Sequence, residues 1–195
     1  MFKKIIGHFC TITRHKWIVF KLCVRAGIPW RGLMHDWSKY SPIEFWESVK
    51  YYTGKRSPIF YCKQENGYSK AWLHHKGRNK HHFEYWYDYA APEPTPIIPY
   101  KYVVEMLCDT LAAGIVYNGK EWNNSSQREY WDRTKHIVKL NPKIFALEEA
   151  VYLEVEKRGI KEVITSKNLK KMYKEYVGWI KKVNAKALTF LVNRI

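Results

Sequence analysis

Residues 99–117 read PYKYVVEMLCDTLAAGIVY, and this stretch decides the fold class. Its apolar side chains recur at spacings of three and four residues, as on one face of an α-helix. They are Val103, Val104, Met106, Leu107 and Leu111. The sequence therefore predicts a long amphipathic helix from Pro99 to about Tyr117. Asp109 interrupts its apolar residues four positions after Glu105.

The rest of the chain also shows helical spacing, broken by clear start and stop signals. Residues 3–26 form an amphipathic pattern that Gly27 and Pro29 end, and a short helix is predicted over residues 30–39. Ser41, Pro42 and Glu44 predict the capped start of a further helix, in which Glu44 serves the cap. No stretch alternates as a strand does.

Three segments between these helices receive separate predictions. Residues 54–68 are predicted to be a loop, and residues 80–89 an aromatic helix that Asn79 caps. Residues 91–99 contain four prolines and cannot form a regular helix. The sequence thus predicts an all-α bundle of about seven or eight helices in one domain, residues 1–195. Helices within residues 126–195 would pack against a functional region at about residues 8–117.

The composition restricts the partners. The 195 residues include 34 Lys and Arg against 18 Asp and Glu, a net charge of +16, which favours phosphorylated small molecules or nucleic acid. No apolar run reaches the ~18 residues of a membrane helix. No helix shows a convincing basic and apolar face, so no membrane partner is expected. The four cysteines form no CxxC pair, which suggests a reduced cytoplasmic protein.

The histidines and aspartates carry the functional signal. Seven of the eight histidines lie in the first ninety residues, together with the adjacent pair His35 and Asp36. A carboxylate on an apolar helix, as at Asp109, is costly unless it is paired or bound to a metal. Imidazole and carboxylate together suit a divalent transition metal, either Mn, Fe, Co, Ni or Zn.

The order of these residues resembles the HD-domain superfamily of metal-dependent phosphohydrolases. The string His35-Asp36-Trp37-Ser38-Lys39 is similar to the His-Asp-x-x-Lys signature of that superfamily. More narrowly, HDWSKYSPIEF, HHKGRNKHHFEYW and VEMLCDTLAAG resemble domain-of-unknown-function family 5662. The resemblance covers about residues 15–117.

The resemblance implies roles for individual residues. A first metal would be bound by His15, His35, Asp36 and Asp109. Asp36 would bridge to a second metal that His75 and either His81 or His82 complete. Lys39 and Arg78 would hold a substrate phosphate, and a metal-activated water would attack phosphorus. Asp36, Lys39 and Arg78 are therefore the predicted catalytic residues.

Several alternatives stay open at this point. His8 competes with His15, and neighbouring positions leave the choice within His74/His75 and within His81/His82 undecided. Glu84 and Glu105 are candidates for orienting the ligand histidines. Two further function classes fit the sequence: a diiron oxygenase with the same ligands, and a basic nucleic-acid-binding protein or nuclease. The oligomeric state is left open.

Overall fold

The structure is a computed structural model that describes residues 1–178. These residues form ten α-helices and no strand, which confirms the all-α prediction. The helices are α1 (Phe2–Arg25), α2 (Pro29–Met34), α3 (Pro42–Tyr51), α4 (Pro58–Asn66), α5 (Lys70–Arg78), α6 (Tyr100–Asn118), α7 (Ser126–Thr134), α8 (Pro142–Arg158), α9 (Ile160–Val163) and α10 (Ser166–Tyr176). Short 3₁₀ turns cover Trp37–Tyr40, Phe83–Tyr85, Gly119–Glu121 and Lys135–Ile137.

Two predictions for the segments around α5 are wrong. Residues 54–68 contain α4, which begins at Pro58 and ends at Asn66, before Gly67, a glycine with φ of 78°. Its only buried residues are Pro58 and Cys62, so it lacks the apolar periodicity that reveals a helix. Residues 80–89 are not a helix beyond the turn Phe83–Tyr85. The predicted helix count was too low because it omitted α4 and the four-residue α9.

The helices pack around one apolar core. α1 lies against α2, α3 and α6, and α3 also contacts α4 and α5. α8 contacts α7, α9 and α10, and α7 connects this group to α6. The buried cluster runs from Val19 of α1 through Leu111 of α6 to Val151 of α8 and Leu169 of α10. The amino-terminal and carboxyl-terminal helices of residues 1–178 therefore share one core.

A close approach of α2 to α1 positions the segment that follows α2. Gly32 lies on α2 against α1, and a Cβ atom added there would lie 2.6 Å from Cys23 Cβ and 3.0 Å from Phe20 Cα. Only a residue without a side chain permits this contact. The approach brings the end of α2, and with it His35 and Asp36, towards the inner face of α1.

Three further features concern the predictions on partners and on the carboxyl-terminal helices. No helix in residues 1–178 combines the length and the apolarity that crossing a bilayer requires. Cys10, Cys23, Cys62 and Cys108 are all free thiols. Residues 179–195, part of the predicted carboxyl-terminal packing region, lie outside the described residues.

Candidate metal centre

The long helices α1 and α6 supply the first two members of the centre. His15 lies on the buried face of α1, and Asp109 lies on α6. His15 Nε2 is 2.9 Å from Asp109 Oδ1. Asp109 is the most exposed member of this first group, with 14% of its side chain accessible. The mid-helix carboxylate therefore faces a histidine and stands at the open side of the centre.

His35 and Asp36 enter between α2 and the 3₁₀ turn Trp37–Tyr40. Asp36 has φ of 55°, the only positive φ of a non-glycine residue in the described chain. Such a conformation costs of order 1–3 kcal/mol and persists only where the surroundings enforce it. Here it breaks the predicted helix 30–39 and turns the buried carboxylate inward. His35 Nε2 lies 3.1 Å from Asp36 Oδ2 and 3.3 Å from Asp109 Oδ1.

The second group of histidines comes from α5 and the segment after it. His75 Nε2 and His81 Nε2 each lie 3.3 Å from Asp36 Oδ1. His82 stacks edge-on against His75 and joins the same group of ligand atoms. The irregular backbone after Arg78 allows His81 and His82 to approach His75. One helix through both histidine pairs would not bring these rings together.

The candidate ligand atoms form two groups that share Asp36. His15, His35, Asp36 and Asp109 form one group, and Asp36, His75, His81 and His82 form the other; within each group the ligand atoms lie within 4.8 Å of one another. Two ligands bound at ~2.1 Å to one ion stand about 3.0–3.4 Å apart, close to several distances given above. The residues therefore fit one or two divalent ions.

Missing hydrogen bonds support the same conclusion. Both Asp36 oxygens and the Nε2 atoms of five histidines are buried without a hydrogen-bond partner. The five are His15, His35, His75, His81 and His82. Buried polar atoms without partners are rare, because each costs roughly 1–3 kcal/mol. Apart from the Lys39 ammonium, which lies 2.5 Å from Asp36 Oδ2, no donor within residues 1–178 pairs with these atoms, and a bound cation would stabilise them.

Glu105 orients two of these histidines from behind. Its Oε1 lies 3.1 Å from His35 Nδ1 and 3.2 Å from His81 Nδ1. Its Oε2 accepts from Arg31 Nε at 2.6 Å. Burial would raise the pKa of Glu105, but His35 and His81 outweigh burial and lower that pKa to about 2. A carboxylate on Nδ1 leaves Nε2 free to bind a metal.

Glu44 likewise orients the ring of His75, a contact that the sequence does not reveal. Glu44 Oε2 is 2.7 Å from His75 Nδ1, and Oε1 is 2.6 Å from His74 Nδ1. The predicted capping role is wrong, because the Ser41 side chain makes no capping hydrogen bond. Pairing with Glu44 turns His74 away from the ligand groups, which contain His75 instead. Glu44 precedes His75 by 31 residues, so local spacing gives no signal of the contact.

Lys39 completes the electrostatics on the open side. Its Nζ lies 2.5 Å from Asp36 Oδ2, and 30% of its side chain is accessible. Burial would raise the pKa of Asp36, but the charges of His35 and Lys39 hold that pKa well below its ordinary value. Burial would likewise raise the pKa of Asp109, but His15 and His35, whose Nε2 atoms lie 2.9 Å and 3.3 Å from Asp109 Oδ1, lower it. Both aspartates are therefore anionic, the form that binds metals.

The imidazoles divide into two electrostatic types. Burial, with Lys39 nearby, lowers the pKa of His15, and burial together with His81 lowers that of His82. These two rings are held neutral. Burial would lower the pKa of His35, but Asp36 and Asp109 raise it well above the ordinary value. The carboxylates thus draw positive charge into the centre, which a proton or a metal ion supplies.

A cavity of about 290 Å³ begins one helical turn from His15. Thr11 and Arg14 of α1 line one side, and Tyr117 of α6 and Tyr52 line the other. Tyr52 and Thr11 are joined by a hydrogen bond of 2.9 Å between their hydroxyl oxygens. Hydroxyl groups and one guanidinium are groups that bind anions. The cavity therefore offers space and polar groups for a small anion, and none of its lining residues belongs to either ligand group.

Other predicted candidates lie outside the ligand groups. Arg78 is exposed, and its Nη1 donates to the His74 carbonyl at 3.5 Å, so nothing places it on a substrate phosphate. His8 packs against Phe45 and Tyr52. Burial and the charge of Lys39 lower the His8 pKa to about 4. Glu84 hydrogen-bonds to none of the ligand histidines in the described chain, and one of its oxygens has no partner.

Comparison with known proteins identifies a family. Residues 4–157 match the family described as "Family of unknown function (DUF5662)", so the chain belongs to this family. The match includes every residue of both ligand groups. No curated protein and no solved structure matches the chain.

Proposed function

We propose that this DUF5662 member is a metal-dependent phosphohydrolase that acts on a phosphorylated small molecule or nucleotide. The observation that supports it most is the convergence of unpartnered imidazole and carboxylate atoms in two groups that share Asp36. The order of those residues, and Lys39 three positions after Asp36, resemble the HD-domain superfamily. Membership of that superfamily is part of the proposal.

A divalent metal bound there would lower the pKa of a coordinated water and polarise a phosphoryl oxygen. The residues of the chain supply the remaining requirements. Glu44 and Glu105 fix the ring orientations of His75, His35 and His81 through their Nδ1 atoms. Because these rings are already held in place, binding of a metal would require little further ordering of the side chains.

Lys39 is the residue placed to hold the substrate phosphate. Part of its side chain is accessible, as is part of the Asp109 side chain, while its ammonium group contacts Asp36. When a phosphate oxygen binds, Lys39 can donate to it while keeping its contact with Asp36, because an ammonium carries three donors. The organic part of the substrate would occupy the cavity lined by Thr11, Arg14 and Tyr117.

The test combines metal analysis with hydrolysis assays on the purified full chain. We expect one or two equivalents of transition metal, and cleavage of p-nitrophenyl phosphate or nucleoside monophosphates that a chelator stops and added metal restores. Asp36→Asn should remove metal and activity together. Asp132→Asn is the matched control, since Asp132 lies on α7 with Arg128 and Lys135 as partners. Hydrolysis that persists in metal-free protein contradicts the proposal.

The metal analysis also separates the predicted alternatives. An iron-loaded protein whose absorbance changes on exposure to oxygen, without phosphate release, would favour the oxygenase. Cleavage of polynucleotides in place of monophosphates would favour a nuclease. A protein without metal, in which Asp36→Asn changes nothing, would exclude all of these enzymes at this site.

A further inference from the structure

α1 carries a second apolar face besides the one that it buries. Its buried residues His8, Ile12, His15, Val19 and Cys23 follow one row along the helix. At 100° per residue, a second row lies roughly 130° around the helix from the first. Its members are Phe2, Ile6, Phe9, Trp17 and Val24, all exposed, and we call them the apolar stripe.

Neighbouring elements widen the apolar stripe. Tyr40 packs against Phe9 with ring centroids 6.0 Å apart, and Trp37 packs against Tyr40 at 5.9 Å. Trp37 is 56% exposed and Trp17 is 58% exposed. Large exposed apolar patches on soluble domains mark interaction sites more often than chance. No other element within residues 1–178 covers the stripe.

The charges beside the stripe are all of one sign. α1 contains six Lys and Arg residues and no Asp or Glu. Lys3, Arg14, Lys21 and Arg25 run along one side of the stripe, and Lys16 lies on the other side, 4.4 Å from the Trp37 ring centroid. A partner that covers this face must therefore be anionic and must accept aliphatic as well as aromatic side chains.

We infer that the apolar stripe of α1 binds the surface of a lipid bilayer that contains anionic headgroups. Amphipathic helices with Trp, Phe and aliphatic residues beside Lys and Arg lie in that interface, with lysines reaching the headgroups. A second copy of this chain would bring two basic rows together, which is unfavourable. Nucleic acid would stack on Trp17 or Trp37, but it gives no partner for Ile6 or Val24.

This inference differs from the prediction that no membrane partner exists. The sequence shows apolar residues almost all around α1, so its two apolar rows cannot be distinguished. The burial of His8, His15 and Cys23 against the other helices separates the inner row from the stripe. The centre and the stripe lie on different faces of the same helix, so the inference does not depend on the proposed activity.

The test is cosedimentation of the full chain with vesicles of phosphatidylcholine alone or with about one quarter phosphatidylglycerol. We expect binding only to the anionic vesicles. Trp17→Ser should weaken it roughly tenfold through lost apolar burial, and Lys21→Glu by a similar factor through lost attraction. The matched controls are Tyr130→Ser on α7 and Lys157→Glu on α8, both exposed, which should change binding less than twofold.

Three outcomes would overturn the inference. The first is no binding to anionic vesicles. The second is binding that Trp17→Ser and Lys21→Glu leave unchanged, which would assign it to another part of the chain, including residues 179–195. The third is a stable dimer, or oligonucleotide binding, that these same two substitutions abolish. Circular dichroism of each variant should match the unsubstituted protein, since both residues are exposed on α1.

Discussion

The protein buries carboxyl groups in two very different surroundings. In the candidate metal centre, Asp36 and Asp109 face His15, His35 and Lys39 within 4 Å. Outside the centre, only 3% of the surface of Glu148 on α8 is accessible, and this residue forms no ion pair within residues 1–178. Burial alone raises the Glu148 pKa to about 8, whereas the pKa values of both aspartates are lowered.

The difference shows how carboxylates of a candidate metal centre are distinguished from an isolated buried one. Both kinds are buried, so burial by itself carries no information about function. Asp36 and Asp109 are anionic and are surrounded by imidazoles whose Nε2 atoms form no hydrogen bond within residues 1–178. Glu148 Oε1 also lacks a hydrogen-bond partner, but its raised pKa keeps the group protonated at neutral pH, and within residues 1–178 it belongs to no group of possible metal ligands. Of the two arrangements, only that of Asp36 and Asp109 would be stabilised by a bound cation.

The largest expected effect distinguishes the carboxyl group of Asp109 from that of Glu148. Asp109→Asn should lower metal content and reduce the rate of phosphate ester hydrolysis by about 10³-fold or more, because a charged ligand is lost. Glu148→Gln should leave both unchanged. Inductively coupled plasma analysis and initial rates at saturating metal measure the two quantities. Equal losses in the two variants would remove the distinction.

Glu148→Gln should instead change stability in a pH-dependent way. The unfolded state ionises near pH 4.5 and the folded state near pH 8, so the unfolded state binds fewer protons between them and stability falls as pH rises. The variant should match the wild type below pH 4.5. It should be more stable by about 3–5 kcal/mol above pH 8. Urea unfolding across this range provides the measurement, and a constant difference at all pH values would contradict the assignment.

Glu44→Gln should weaken metal binding by about 10- to 100-fold, because His75 loses the carboxylate that fixes its ring. The matched control is Glu47→Gln, three residues further along α3, since Glu47 binds Ser69 and Ala71 and no ligand histidine. Metal titration of the chelator-treated proteins compares them. An unchanged affinity in Glu44→Gln would show that the Glu44 carboxylate does not orient His75 for metal binding.

The smallest expected effect concerns the approach of α2 to α1. Gly32→Ala places a methyl group 2.6 Å from Cys23 Cβ and should cost about 1–2 kcal/mol of stability. Gly77→Ala on α5 has nothing within 4 Å and should stabilise by about 0.5–1 kcal/mol. Thermal unfolding of both variants should therefore give shifts of opposite sign. Shifts of the same sign would indicate that the contact at Gly32 relaxes freely.

The fold was predictable where apolar periodicity or capping signals were strong. Phe2–Arg25 and Tyr100–Asn118 were predicted within two residues at each end. α4 was missed because its apolar residues stand in one run, residues 58–62, followed by four polar residues, and this arrangement hides the helical period. Residues 80–89 were predicted as a helix because they are rich in aromatic residues. The Trp86 indole instead donates to the Lys80 carbonyl, which holds this segment in a tight irregular turn.

The candidate site was predictable as a set of residue types but not as a network. A carboxylate on an apolar helix and an adjacent His-Asp pair pointed to Asp109, His35 and Asp36, which the structure brings together. The contact of Glu44 with His75 depends on how α3 packs against α5, and no local pattern encodes that packing. The exposed position of Arg78 depends on the same tertiary arrangement.

The left-handed backbone of Asp36 has a consequence for protein engineering. This residue belongs to both ligand groups and is also the one non-glycine residue of the described chain with positive φ. A glycine would relieve the backbone of an unfavourable geometry while deleting the shared ligand. Selection of libraries for heat resistance alone would therefore tend to enrich proteins that lack the shared candidate ligand, so such a screen needs a simultaneous readout of metal binding.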